Sequence, residues 1–395
     1  MKILSVVGAR PNFVKIAPLL AEMRKHAGIL PLLVHTGQHY DLEMSDFFFQ
    51  DLGIPHPDIN LEVGSASAAR QVALIIERLE PVLMAERPDL VVLVGDVNST
   101  LAGALTAVKL GIPVAHVEAG LRSFDRTMPE EINRVVTDAI SDLLFVSEPS
   151  GVENLLKEGR PAGKIFLVGN VMIDSLKNCL AQARQSEPLE DSAIWGEIRS
   201  DRPTRFALVT LHRPSTVDDA SVLRPIWQAL EEIAKAIPML FPVHPRTLKR
   251  LRDLGLDSSG LALPLARPNG IRLIAPLSYL RFLRLESLAT FVITDSGGIQ
   301  EETTVLGVPC LTVRENTERP ITITEGTNTL VGLDPERLEH EAHQILHGKG
   351  KQGRTPALWD GRAAQRIVGI LERQWMRGSQ LPAPSHMRAS SPATP

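Results

Sequence analysis

Cysteine, tyrosine and charge of one sign are all scarce in this chain. Among 395 residues there are two cysteines, Cys179 and Cys310. They form neither a CxxC pair nor a disulfide framework, so core-filling thiols in a reducing compartment are the expectation. No apolar run approaches the ~18 residues of a membrane helix. The opening run, Met1 to Val7, is too short for a signal peptide and meets Gly8 and Arg10 at once. A cytoplasmic protein without a membrane partner is therefore expected. Forty-two basic against 46 acidic residues leave a net charge of −4, which removes the bulk electrostatic case for a nucleic-acid partner. What remains is ordinary: 44% hydrophobic and 22% charged residues, enough apolar material for two globular domains and too much for disorder.

Short apolar runs alternate with helical patterns. Ile3 to Val7, Leu30 to Val34, Leu90 to Val94, Val114 to Val117, Leu143 to Val146 and Ile165 to Val168 read as buried strands. Val14 to His26 and Ala69 to Glu86 carry helical periodicity. Continuous runs of this kind between helices indicate parallel strands in βαβ units. From Asn178 to Thr204 the pattern breaks, and a linker is expected there, with the domain boundary close to Gly169. A second series follows: Phe206 to Leu211, Met239 to Val243, Ile271 to Ile274, Phe291 to Ile293 and Cys310 to Val313. The fold class is α/β, with two Rossmann-like, doubly wound domains over residues 1–170 and 171–360. Residues 361–376 read as a final helix and 378–395 as a disordered tail. Two such domains facing each other would hold a ligand outside the carboxyl ends of their strands, in a cleft.

The strand ends carry the chemistry. The first ends in Gly8-Ala9-Arg10-Pro11, with Lys15 one turn into the next helix, a pattern suited to an anion. It has no G-x-G-x-x-G, so a nicotinamide site has little support. The next strand reaches His35 and His39, but no third ligand is near and no metal is expected. Asp96, Glu118 and the Glu130-Glu131 pair follow three successive segments. Helix capping accounts for the last pair taken alone. Together the carboxylates suggest a like-charge cluster that separates an acid from a base for proton transfer. In the second domain, His212-Arg213 and His244-Pro245-Arg246 end two strands. The sharpest local signal is Thr294 to Glu302, where Ser296, Gly297 and Gly298 open a helix. Its backbone N–H groups suit a diphosphate, and Glu302 could accept from ribose hydroxyls. Arg314 and Glu318-Arg319 lie after the next strand.

These residues resemble the non-hydrolysing UDP-N-acetylglucosamine 2-epimerases. The carrying motifs are GARPNFVK (from Gly8), GDVNST (Gly95), HVEAGLR (His116), PEEINR (Pro129), HRP (His212), VHPR (Val243), TDSGGIQEE (Thr294) and RENTERP (Arg314). The resemblance implies two Rossmann-like domains of the B-type glycosyltransferase architecture, with the final helix returning to the first. It implies a homodimer working on a UDP-sugar without a cofactor, in supply of cell-surface polysaccharide precursors. It implies inversion at C2 by loss of UDP and re-addition through a 2-acetamidoglucal. By position, Asp96, Glu118 and Glu130 match the family's catalytic carboxylates and His212 its histidine near the diphosphate. Arg10, Lys15, Arg134, His244, Phe282, Ser296, Gly297, Gly298, Glu302 and Arg314 fall at substrate-binding positions.

Departures bear on the details. The loop Gln38-His39-Tyr40-Asp41 lacks the Gln-His-Arg of members activated by their own substrate. Leu277 replaces a Gln that contacts uracil in some members, although Tyr279 and Phe282 stay in register. Epimerases of UDP-2,3-diacetamido-2,3-dideoxy-glucuronate share most motifs and are the nearest alternative. A B-type glycosyltransferase shares the architecture but leaves the first domain's carboxylates without a task. A hydrolysing epimerase would release free ManNAc, and a nucleotide-sugar sensor would bind without turnover.

Overall fold

A computed structural model describes residues 1–37, 49, 51–185, 205–256 and 270–376, apart from the side chain of Arg10. The expected linker's polar core, the Gln38 to Asp41 loop and the C-terminal tail lie outside the described residues. The chain divides into two compact units, Met1–Ser175 with Asp360 onward, and Leu176–Trp359.

The first unit is built on one parallel sheet. Its strands are β1 Lys2–Val7, β2 Leu30–His35, β3 Ile59–Asn60, β4 Leu90–Val94, β5 Val114–Ala119, β6 Leu143–Val146 and β7 Ile165–Leu167. Among the described residues their order is β3-β2-β1-β4-β5-β6-β7. Alternate residues serve opposite faces, as the pleat demands. Ile3, Val7, Val92 and Val94 join one apolar core, and Leu4, Val6, Val91 and Leu93 the other. Burial on both faces explains why the strands read as unbroken apolar runs.

The helix Ala363–Met376 belongs to this unit. Ala363, Ala364, Ile367, Val368 and Leu371 fall on one face and are buried with Phe13, Ile16 and Met23 of the helix Arg10–Met23. Burying its three larger aliphatic side chains stabilises the docking by roughly 5–9 kcal/mol before entropy is counted. The Asp174 carboxylate accepts from the backbone N–H groups of Ala363 and Ala364 at 3.1 and 2.8 Å, satisfying orphan donors at the helix start.

The second unit repeats the plan. Its strands are β8 Ala207–Thr210, β9 Met239–Pro242, β10 Ile271–Ile274, β11 Phe291–Thr294, β12 Cys310–Thr312 and β13 Asn328–Leu330. Their order is β10-β9-β8-β11-β12-β13, again parallel throughout. Both sheets reverse direction at one point, β1/β4 in the first and β8/β11 in the second. Ligands of doubly wound sheets bind outside the carboxyl ends at such a switch point.

Three local expectations change. Val171–Gln185 is one helix, so the break placed at Asn178 starts later. Leu176, Cys179 and Ala183 recur at helical spacing and are buried, which outweighs the polar residues between them. The first helix begins at Arg10 rather than Val14, with Pro11 inside its first turn, where a missing N–H costs nothing. The edge strands β3 and β13 were not legible, being two and three residues long and each carrying Asn.

Candidate functional site

In the first unit the switch point gathers three loops. Asn12 ties two of them together: its side-chain oxygen accepts from the N–H of Gly8, and its amide donates to the carbonyl of Val94 at 2.8 Å. Lys15 projects from the same helix and ion-pairs with Glu118, both side chains being about nineteen-twentieths buried. Gly95 sits against this pair with a φ of +68, and a Cβ there would lie 2.8 Å from the Lys15 ammonium. Glycine serves on both counts.

Asp96, the next residue, has its own cation. Nη1 of the buried Arg134 meets its carboxylate at 2.5 Å. Arg134 is held from behind by Glu131, at 2.8 Å, and donates to the Ser123 hydroxyl at 3.2 Å. Glu131 also accepts the backbone N–H groups of Ser123 and Phe124. Burial opposes its ionisation, but these amides and Arg134 outweigh that and hold its carboxyl below the usual range. The like-charge cluster expected from sequence is therefore matched by Lys15 and Arg134. Glu130, one residue earlier, is only partly buried.

Glu118 is held in an unusual backbone. Its φ is +76, and the β5–β6 register slips between Val117 and Ala119, making Glu118 the extra residue of a bulge. Such a conformation in a non-glycine residue costs roughly 1–3 kcal/mol and concentrates at sites where a side chain has to be re-aimed.

In the second unit, His212 and Arg213 follow β8, and Asp295 and Ser296 follow β11. The Asp295 carboxylate accepts the backbone N–H groups of His212 and Arg213 at 2.9 and 2.8 Å. Nδ1 of the His212 ring lies 3.1 Å from the same carboxylate. Asp295 is fully buried, which opposes its charge, yet the His212 ring and these amides keep its carboxyl low. The ring is thereby oriented, and its side chain is 46% exposed.

The helix Gly297–Leu306 begins beside a cationic cluster. Ser296 is its N-cap, but its hydroxyl makes no capping hydrogen bond. Glu318 is flanked by Arg314 at 2.8 Å, Arg213 at 3.6 Å and, closer still, Arg319. Burial opposes its charge; the Arg319, Arg314 and Arg213 guanidiniums prevail and hold it well below the carboxylate range. Arg319 also pairs with Glu301 at 2.7 Å. Nη1 of Arg314 is buried without a hydrogen-bond partner among the described residues. A Cβ at Gly297 would lie 2.5 Å from the Arg319 guanidinium, so the helix start comes close to the cluster and a side chain there would make Arg319 and Glu318 shift. Helix N–H groups, the dipole and an unsatisfied guanidinium together suit a phosphate.

Glu302 lies one turn into that helix and accepts from the Tyr279 hydroxyl at 2.7 Å. Burial first, then Glu301, pushes its carboxyl up to about 7. Glu286, fully buried, is pushed well above the ordinary value by burial and by Glu302. Phe282 packs on the apolar cluster of this face with Leu277 and Ile299. His244 is exposed and caps the helix Pro245–Asp253, its Nδ1 accepting from the Arg246 N–H.

The sequence reading weighed Glu131 only together with Glu130, and gave no part to Asp138, His116 or Asp295. A signal for Glu131 and Asp138 existed. In the helix Pro129–Ile140, Glu131, Arg134 and Asp138 recur at helical spacing and are buried, while Ile132 is 48% exposed. A helix that turns its charged stripe inward has a task for it. His116 and Asp295 lay inside quoted motifs, but only pairing across strands shows what they hold.

Comparisons with known proteins show the family of the chain. The family profile described as UDP-N-acetylglucosamine 2-epimerase matches residues 21–372. The UDP-N-acetylglucosamine 2-epimerase of Methanocaldococcus jannaschii is 42% identical over 94% of this chain and 99% of its own length. The UDP-2,3-diacetamido-2,3-dideoxy-D-glucuronate 2-epimerase of Pseudomonas aeruginosa is 39% identical over 94% of this chain and all of its own. A crystal structure of the M. jannaschii enzyme with UDP-GlcNAc and UDP superimposes with a TM-score of 0.83 at 41% identity, covering 94% of this chain and 100% of that one. The chain belongs to the UDP-N-acetylglucosamine 2-epimerase family.

Proposed function

We propose that this protein interconverts UDP-GlcNAc and UDP-ManNAc by elimination and re-addition of UDP. The observation that carries the reading is that its two switch points bear complementary chemistry. One holds Asp96 and Glu118, each against its own buried cation. The other joins a glycine-opened helix to three arginines and an oriented histidine.

The C2–H of the sugar has no adjacent carbonyl, so proton loss there needs the C1–O bond to break. In the proposed path the C1–O electrons leave with UDP, a carboxylate takes the C2 proton, and a C1–C2 double bond forms. His212 and the arginines stabilise the diphosphate as charge gathers on it. A proton then returns to the opposite face of C2 while UDP rebinds C1. Asp96, Glu118 and Glu130 are the proposed proton-transfer groups. Arg10, Ser296, Gly297, Gly298 and Arg314 are proposed to bind the nucleotide sugar, with His244 and Phe282 at its margin. Glu302 is proposed for the ribose. Lys15 and Arg134 serve the site through the carboxylates they pair with.

The P. aeruginosa relative, similar over its whole length, favours a second reading in which the sugar is a diacetamido uronate. We place the protein in the cytoplasm as a homodimer that supplies precursors for surface polysaccharide. No helix among the described residues is long and apolar enough to cross a membrane.

The test is incubation with UDP-GlcNAc in deuterated water, followed by NMR at C2–H and the anomeric proton. UDP-ManNAc with deuterium at C2 is expected. Absence of both product and exchange, from folded protein that binds UDP, refutes UDP-GlcNAc as substrate and moves the test to the diacetamido uronate.

A further inference from the structure

We propose that Asp138 is a positioning residue: it holds the left-handed backbone of Glu118 and, through His116, fixes the turn that carries Asp96. This rests on the reading above, in which those two carboxylates move the C2 proton.

The Asp138 carboxylate spans the bulge. One oxygen accepts from Nδ1 of His116, two residues before Glu118, at 2.6 Å. The other accepts the backbone N–H of Gly120, two residues after it, at 3.0 Å. Arg122 adds a donor to that second oxygen at 2.7 Å, and is itself gripped by Glu158 through two bonds of 2.7 Å. The other ring nitrogen of His116 donates to the carbonyl of Gly95, the residue before Asp96, at 2.8 Å. His116 and Asp138 are fully buried. Their polar atoms are taken up by these contacts, and one buried carboxylate reaches the ends of both β4 and β5.

The geometry is over-determined in the way a strained site residue requires. A bulged residue with φ of +76 persists only if its flanks are pinned, and here both flanks end on the same side chain. Apolar packing would bury the strand equally well, but it would not specify where Glu118 points.

The test compares wild type with Asp138→Asn, which keeps the size but turns an N–H2 toward either His116 or Gly120. The variant is expected to fold with lowered stability, with kcat lowered at least tenfold and both KM and the UDP dissociation constant within threefold. Because misplaced acids slow proton transfer itself, the isotope effect on kcat with C2-deuterated UDP-GlcNAc is expected to rise above the wild-type value. The variant's crystal structure is expected to show Glu118 out of the left-handed region. Unchanged kcat and isotope effect, or Glu118 still near its original φ, overturns the proposal. If Asp138→Asn does not fold, His116→Gln carries the same kinetic test for the Asp96 side, and unchanged values there overturn it. Wild-type protein that neither epimerises UDP-GlcNAc nor exchanges its C2–H overturns the functional reading instead, while the Glu118 backbone in Asp138→Asn still decides the positioning claim.

Discussion

Removing the Lys15 ammonium should hurt Glu118 before it hurts substrate binding. The Lys15 ammonium meets Glu118, and the two side chains are only 4% and 5% exposed. Lys15→Met has a similar length and leaves a buried carboxylate without this cation. Breaking a buried pair from one side costs about 3–5 kcal/mol. For a unit of this size that is a fall in Tm of about 6–20 °C. Glu118→Gln alone leaves the ammonium in the same position and should cost a similar amount. The double variant, Lys15→Met with Glu118→Gln, removes both charges and should recover at least ~2 kcal/mol relative to additivity. Urea unfolding of the four proteins, followed at a probe in the first unit, measures that coupling. UDP affinity should stay within threefold of wild type throughout. Stabilities that add within ~0.5 kcal/mol, or a large loss of UDP affinity in Lys15→Met, would refute the assignment of Lys15 to Glu118.

Asp295→Asn keeps one oxygen for the N–H groups of His212 and Arg213 but loses the charged acceptor at Nδ1 of the ring. Exchanging a charge-assisted bond for a neutral one weakens it by about 1–2 kcal/mol, so kcat should fall roughly tenfold with little change in UDP affinity, as steady-state kinetics and calorimetry would show. Gly297→Ala puts a methyl 2.5 Å from the Arg319 guanidinium and 2.9 Å from Glu318, so the cluster must shift and UDP affinity should drop at least tenfold by calorimetry. The Glu302 carboxyl, raised from 4.5 to about 7, favours the folded state while it is neutral. Its contribution is complete below about pH 4.5 and is lost as pH rises through about 7. Glu302→Gln should flatten that part of the pH–stability curve in urea titrations at pH 5 and pH 8, and an unchanged slope would show that the proton sits elsewhere.

The sequence by itself determined the architecture. Apolar runs such as Leu90–Val94 and Leu143–Val146 match their strands residue for residue, because a parallel strand buried on both faces leaves little room for polar residues. It also placed Asp96, Glu118, His212 and Ser296 at strand ends, since Gly, Pro and Asp punctuate where a strand must turn into a helix. What it could not supply was partnership. Nothing local to Lys15 says that its ammonium ends on a carboxylate more than a hundred residues away, or to Arg134 that its guanidinium ends on Asp96. The parallel order of strands decided those pairs, by bringing loops distant in the chain to one edge of each sheet. The left-handed backbone of Glu118 is the clearest case: no residue in HVEAGLR announces it. It exists because Asp138, on another element, offers one carboxylate to both sides of the bulge.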